Sequence, residues 1–280
     1  MTVPNIALPD GTSIPQLGFG VFQVPPEDTA ATVVQAFEAG YRHIDTAQMY
    51  GNEAGVGEAI RTSGLARDDL YVTTKLNNSF HRPDDARREI DASLEKLGLD
   101  QVDLFLIHWP LPTQYDGDFV QTWRALIEAQ EAGKTRSIGV SNFQPAHLDR
   151  IVEETGVVPV VNQVEVHPFF STEDVRAANQ RHGVLTEAWS PIAKGKVMDD
   201  DTIGEIASLV GRTPAQVTLR WHVQRGDIVF PKSMNPDRMR QNFEIFDFEL
   251  EPTHMSAIDE LDRGEEGRTG PNPDTFDWIP

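Results

Sequence analysis

The 280-residue chain contains no cysteine, so no disulfide can staple it and no thiolate can act as a nucleophile or zinc ligand. Basic residues are scarce: 24 Lys and Arg stand against 44 Asp and Glu, and the lysines are Lys75, Lys96, Lys134, Lys194, Lys196 and Lys232. A formal charge of -20 repels phosphate backbones and anionic bilayers, which argues against nucleic acid and membrane as partners. The apolar run needed to cross a bilayer is missing, and the start MTVPNIALPD has neither the basic nor the apolar part of an export signal. A soluble, cytoplasmic protein is expected. So many carboxylates also suit a high-salt interior, where their repulsion is screened within roughly 3 Å at 1 M salt. The glycine-rich G-x-G-x-x-G turn is absent too: Gly18-Phe19-Gly20 and Gly55-Val56-Gly57 lack the third glycine, which speaks against a dinucleotide-binding doubly wound sheet.

What the chain does have is alternation. Asp10-Gly11 marks a hairpin turn in the opening segment. Strand-like apolar runs follow at 17–22, 41–44, 70–74, 102–107, 137–140, 160–164, 184–187 and 228–230. Helical periodicity separates them at 28–39, 53–61, 83–97, 119–131, 145–152, 172–181, 202–210 and 214–224, with a further helix at 236–243. Pro83, Thr213-Pro214 and Asn235-Pro236 carry helix-start signals, and Gly40, Gly98, Gly133 and Gly183 stand where left-handed caps belong. Eight short apolar strands alternating with helices over residues 1–280 predict one (β/α)8 barrel domain, an α/β fold with a short N-terminal hairpin. The alternative is the open doubly wound sheet.

Barrel active sites lie at the carboxyl ends of the strands. The groups expected there are Asp45 with Tyr50 in the next loop, Lys75, His108, Ser141-Asn142, Gln163, Trp189-Ser190 and Lys232-Ser233. Taken singly each has a plain reading: Asp45 as a cap for the helix near Glu53, Tyr50 as a half-buried aromatic, Lys75 as a snorkelling strand-end lysine, His108 as a core histidine. Converged on one rim, Asp45, Tyr50, Lys75 and His108 form a proton-transfer group. A phenol donates, an ammonium lowers the pKa of that phenol, a carboxylate holds the ammonium, and an imidazole stands beside them. Tyr71 and Lys75 also have the Y-x-x-x-K spacing, but four strand residues span roughly 13 Å, too far to share a proton. Lys75 therefore needs another tyrosine.

The segments GYRHIDTAQMYGNE, YVTTKL, DLFLIHWP, KTRSIGVSNF, NQVEVHP and FPKSMNPDRMRQNFEIFDFEL resemble the aldo-keto reductase family over essentially the whole chain. The chain is most similar to compact prokaryotic members such as the 2,5-diketogluconate reductases. The resemblance implies a monomeric barrel that reduces small-molecule aldehydes or ketones with NADPH (NADP+). It implies a tetrad of Asp45, Tyr50, Lys75 and His108, with Tyr50 as general acid, Lys75 paired with Asp45 to lower its pKa, and His108 orienting the carbonyl. Ser141, Asn142 and Gln163 would hold the carboxamide, Trp189 would stack on the nicotinamide, and Ser190 and Ile192 would follow the pyrophosphate. Lys232, Ser233 and Arg238 would take the 2′-phosphate and Asn242 the adenine. A basic cluster of Lys232, Arg238 and Arg240 also makes physical sense on its own, since so acidic a chain would otherwise repel a polyanion. Many relatives place Trp two residues after the catalytic lysine; Asn77 stands there here, which leaves the pocket wider or more polar on that side, with Phe22, Tyr50, Trp109 and the terminal PDTFDWIP as the remaining walls. The segment 194–201 is short where relatives with a long loop strap it across the cofactor, so the resemblance implies easier cofactor release. The rival readings are a cofactor-binding regulatory subunit of this fold with little turnover, and a metal hydrolase, for which His108 and His167 are too few.

Overall fold

The computed structural model describes residues 2–280. The opening hairpin pairs β1 (Asn5–Ala7) antiparallel with β2 (Ser13–Pro15), Ile6 opposite Ile14. Eight parallel strands follow, each bonded to the next: β3 (Phe19–Gly20), β4 (His43–Asp45), β5 (Tyr71–Leu76), β6 (Val102–Ile107), β7 (Thr135–Ser141), β8 (Val161–Glu165), β9 (Leu185–Trp189) and β10 (Ile228–Val229). A parallel bridge joins Leu17 to Val229. There the Gly18 N–H donates to the Val229 carbonyl at 2.9 Å and the Val229 N–H to the Gln16 carbonyl at 3.1 Å. These bonds close the sheet into a (β/α)8 barrel and exclude the open sheet.

The helices are α1 (Pro26–Ala39), α2 (Glu53–Thr62), α3 (Pro83–Leu97), α4 (Phe119–Glu131), α5 (Pro145–Thr155), α6 (Glu173–His182), α7 (Asp201–Val210), α8 (Pro214–Gln224), α9 (Pro236–Phe243) and α10 (Pro252–Asp259). Local chemistry sets their ends. Thr213 and Gln216 form a reciprocal capping box at α8, and the Asn235 carboxamide accepts the Asp237 and Arg238 N–H groups at α9. Gly40 closes α1 at φ 110, and a Cβ there would lie 2.7 Å from the Phe243 ring, so only glycine fits. Among the described residues no helix is long and apolar enough to cross a membrane.

Several boundaries shift from the sequence pattern, and one helix is added to it. β4 begins at His43, because the Tyr41 ring packs outward among Phe19 and Phe243 and its hydroxyl donates to the Met239 carbonyl at 3.1 Å. β9 runs on to Trp189, so Glu187 lies within the strand. Helix α10 carries no apolar stripe, with Ile258 its one fully buried residue, and its period is invisible in sequence.

Side chains alternate across the barrel wall, as strand geometry requires. Outward residues such as Ile44, Val72, Phe105, Ile107, Val140 and Ala188 join the large core beneath the helices. Inward residues Tyr71, Leu104, Leu106, Val161, Ile228 and Phe230 form a second, smaller cluster, and Leu8 and Ile14 of the hairpin region plug it from below. Above that apolar floor the same inward parity continues with polar groups: Asp45, Lys75, Ser141, Gln163 and Glu187.

Candidate active site

Lys75 is fully buried near the carboxyl end of β5. Its ammonium donates to Asp45 Oδ1 at 2.7 Å, to the Thr46 carbonyl at 2.9 Å and to the Tyr50 hydroxyl at 3.4 Å, so all three N–H bonds have acceptors. Asp45 is thereby engaged with Lys75 and does not cap α2, whose N-cap position belongs to Asn52. Tyr50 rides on a short 3₁₀ turn, 48–50, held from both sides. Thr46 Oγ1 donates to Asn52 Oδ1 at 2.9 Å, and Gln48 donates to the Glu89 carbonyl and Ser93 hydroxyl while accepting the Asn77 N–H. The Tyr50 ring stands 5.7 Å from the His108 ring and 5.0 Å from Phe22, centroid to centroid. The structure therefore brings Asp45, Tyr50, Lys75 and His108 together.

Burial sets the protonation states. It pushes the Tyr50 phenol up; Lys75 draws it back and Asp45 raises it again, leaving the group above its ordinary value. Lys75 lowers the phenol as the sequence reading expects, but desolvation outweighs it, and the phenol keeps its proton at neutral pH. Burial alone would lower Lys75, but Asp45 and Tyr50 reverse that, and the lysine ends above its ordinary value. Burial, with Lys75 and His81, holds His108 well below the ordinary imidazole range, so the ring is neutral. Its Nδ1 is buried without a partner among the described residues.

Around this group the remaining rim residues cross-link neighbouring strands. Ser141 Oγ donates to the Gln163 main-chain carbonyl at 2.8 Å. The Asn142 amide donates to the His108 carbonyl and to Ser141 Oγ, and its oxygen accepts Trp189 Nε1–H at 2.9 Å. Asn142 and Ser190 both take left-handed backbone, φ 64 and 51. Ile192 caps the following 3₁₀ segment, Ala193–Asp199. The Gln163 amide nitrogen is shared between Asp45 Oδ2 at 2.9 Å and Glu187 Oε2 at 3.0 Å. Glu187, which sequence reading passed over, is fully buried, and burial with the nearby Asp45 pushes its carboxyl up to about 8.

At the start of α9, Ser233 Oγ accepts from Arg238 Nε at 3.4 Å, and Lys232 is exposed beside them. Asn242 is buried in the last turn. Arg240 does not join this group; it pairs with Asp237 on the outer side of α9, because two residues along a helix turn the side chain away from Arg238. Lys232 and Arg238 make no ion pair among the described residues, whereas most arginines of this acidic chain do. Two unpaired cations beside a helix start suit a phosphate, and the Trp189 rim offers a flat aromatic face, so the residues present fit a phosphorylated dinucleotide.

The expected substrate walls Phe22, which is 56% exposed, Trp109 and the C-terminal segment stand at this rim. Phe276 packs on Trp109 at 4.2 Å, and the chain end is tied down by Asn78 donating to the Trp278 carbonyl and Ser79 to the Pro280 carbonyl, both at 3.0 Å. Asn77 lies at this edge, but its carboxamide oxygen accepts the Ser79 N–H at 3.0 Å, holding that oxygen to its own loop. The sequence reading missed the upstream anchor of the tail. Glu165 on β8 accepts the Thr269 N–H and hydroxyl at 2.6 Å and the Gly270 N–H at 2.9 Å. His167 and Glu165 also share a bond at 3.0 Å, which engages His167 structurally.

A closed parallel barrel with a buried Lys–Asp pair, a phenol and a neutral imidazole at the carboxyl rim is a (β/α)8 protein with a candidate active site at that rim. The sequence of the chain from residue 16 to 263 matches the aldo/keto reductase family, and the chain belongs to that family of oxidoreductases. It is 49% identical to an aldo-keto reductase of Mycolicibacterium smegmatis over 276 residues, 99% of each chain. It is 45% identical to the methylglyoxal reductase DkgA of Escherichia coli K12, over 97% of each. Among solved structures, a mutant of Gox0644 in complex with NADPH superposes with a TM-score of 0.94 at 44% identity, covering 99% of both chains.

Proposed function

We propose that the chain reduces small aldehydes and ketones to alcohols with NADPH, using Tyr50 as general acid. One observation carries this reading: a fully buried ammonium, Lys75, fixed by Asp45 at 2.7 Å, reaches the hydroxyl of a phenol that burial keeps protonated. NADPH supplies the hydride. Tyr50 Oη gives its proton to the carbonyl oxygen, and the Lys75 ammonium stabilises the phenolate left behind. Asp45 neutralises Lys75 without itself moving a proton. His108, neutral, orients the carbonyl. Ser141, Asn142 and Gln163 are assigned to the carboxamide, and Trp189 to the nicotinamide face. Ser190 and Ile192 are assigned to the pyrophosphate, Lys232, Ser233 and Arg238 to the 2′-phosphate, and Asn242 to the adenine. Phe22, Trp109 and Phe276 make the substrate side largely apolar, with Asn77 at its edge. That supports small carbonyls, and the name of the Escherichia coli relative supports methylglyoxal among them.

The test is Tyr50→Phe. Its reduction rate with methylglyoxal is expected to fall by at least about 10²-fold, the usual worth of a positioned acid, while NADPH still quenches protein fluorescence with nearly wild-type affinity. A variant retaining more than a tenth of the rate would mean that another group is the acid.

A further inference from the structure

The buried polar chain does not stop at Asp45. Gln163 Nε2 has two N–H bonds, and they end on two different carboxyl groups: Asp45 Oδ2 at 2.9 Å and Glu187 Oε2 at 3.0 Å. An amide held this way has one orientation, since turning it over would set its oxygen against two carboxyl oxygens. The Gln163 side-chain oxygen accepts no bond within the described residues and is left as the free end of the group. Asp45 could not fix that choice alone, because one acceptor leaves the second N–H unpaired and the amide free to rock. Glu187 is fully buried, and its other oxygen, Oε1, has no partner among the described residues. The groups facing it are Asp45 from β4, Lys75 and Tyr71 from β5, and the apolar Ile228 from β10. Among the described residues no cation pairs with it, so a permanently ionised carboxylate would be poorly held there. Burial and Asp45 accordingly raise its carboxyl to about 8, which keeps it a neutral acceptor at pH 7.

We infer that Glu187 is a positioning residue for the cofactor: with Asp45 it locks the Gln163 amide nitrogen into the barrel so that the Gln163 oxygen faces the rim as an acceptor for a carboxamide N–H₂. The inference rests on the reading of Gln163 as a nicotinamide carboxamide ligand. It adds that the acceptor is preset by a carboxyl group which never touches the cofactor, and that the site selects ligands with an N–H₂ donor at that place.

The experiment compares Glu187→Met, which removes the acceptor at similar length, with Glu187→Gln, which restores an acceptor oxygen. Affinities are measured for NADPH by fluorescence quenching and for adenosine 2′,5′-bisphosphate, which has no nicotinamide, by calorimetry. Glu187→Met is expected to bind NADPH about tenfold more weakly, the scale of one hydrogen bond, and the bisphosphate within about twofold of wild type. Glu187→Gln is expected to recover most of the NADPH loss. Unchanged NADPH affinity in Glu187→Met would overturn the inference, as would equal loss of both ligands with no recovery in Glu187→Gln. If Glu187→Met does not fold, the Gln163 side-chain amide resonances of the wild type decide. They are expected to shift as the attached carboxyl titrates, near pH 8, and to stay fixed in Glu187→Gln; wild-type resonances flat across the whole range from pH 5 to pH 10 refute the inference. Wild-type NADPH binding no tighter than the bisphosphate would instead fault the nicotinamide reading itself.

Discussion

Replacing Asp45 by Asn tests the buried ion pair quantitatively. In the wild type Lys75 is fully buried and its charge is compensated by Asp45 at 2.7 Å. Its folded pKa is raised, so the pair contributes its full stability below the unfolded lysine pKa of about 10.4 and loses it only as pH rises through the folded value. The amide side chain removes the compensation, and burial, which lowers Lys75, is then unopposed apart from the Tyr50 contact. The variant has two choices: keep an uncompensated buried charge, at about 3–5 kcal/mol, or release the proton. Release costs about 1.36 kcal/mol for each pH unit below 10.4, so it caps the loss at about 4.6 kcal/mol at pH 7 and about 1.9 kcal/mol at pH 9. The sign is opposite to the wild type: a lowered lysine pKa is a penalty that grows as pH falls.

With an unfolding entropy of about 2.1 cal/mol/K per residue, a chain of this length loses about 1.7 °C in melting temperature per kcal/mol. Asp45→Asn is therefore expected to melt up to about 8 °C below wild type at pH 7 and about 3 °C below at pH 9. Scanning calorimetry across pH 6–9.5 measures the gap directly. A gap that is constant with pH, or one that widens toward alkali, would refute the view that desolvation of Lys75 is what Asp45 offsets.

Three further outcomes are expected. Gly57→Ala would drive a Cβ to 2.3 Å from the Leu97 carbonyl oxygen where α2 crosses α3, whereas Gly204 in α7 has nothing within 4 Å; urea unfolding should lose about 1–3 kcal/mol in the first and gain about 0.5–1 kcal/mol in Gly204→Ala. Arg238→Met should raise the KM for NADPH more than that for NADH, and the wild-type preference for NADPH should shrink as salt screens the exposed cations; equal efficiency with both cofactors in dilute buffer would contradict the 2′-phosphate assignment. The surplus of carboxylates should make the melting temperature rise from low to molar KCl, and a melt indifferent to salt would remove the high-salt reading.

Most of the barrel is legible because strand and helix alternate along most of the chain and its helix signals are local. α3, α4, α8 and α9 begin and end at the residues the pattern marks, where Pro83, Pro214 and Asn235 set the starts of three of them. Asp45, Lys75 and His108 were legible for a related reason: a polar side chain ending an apolar strand is visible without knowing what it touches. What escaped were features that depend on contacts made across the barrel. The pairing of Arg240 with Asp237, the return of the Asn77 oxygen to its own loop, and the dominance of burial over Lys75 at Tyr50 follow from three-dimensional surroundings that no spacing encodes.

Glu187 is the instructive case, because half of its role was readable. Strand parity makes Leu185, Glu187 and Trp189 one inward row, so once Trp189 is placed at the rim, Glu187 must face the barrel axis two residues below it. Ending the strand at Glu187 hid this, since a carboxylate at a strand end reads as solvated. The registers Gln163 opposite Glu187 and Asp45 opposite Thr73 then decide what that inward carboxyl meets. A barrel interior that is apolar at the level of Leu104, Leu106 and Val161 has few polar partners to offer it. Its acceptance of a hydrogen bond from the one amide that also binds Asp45 is how the fold joins a buried acid to the rim without a second cation.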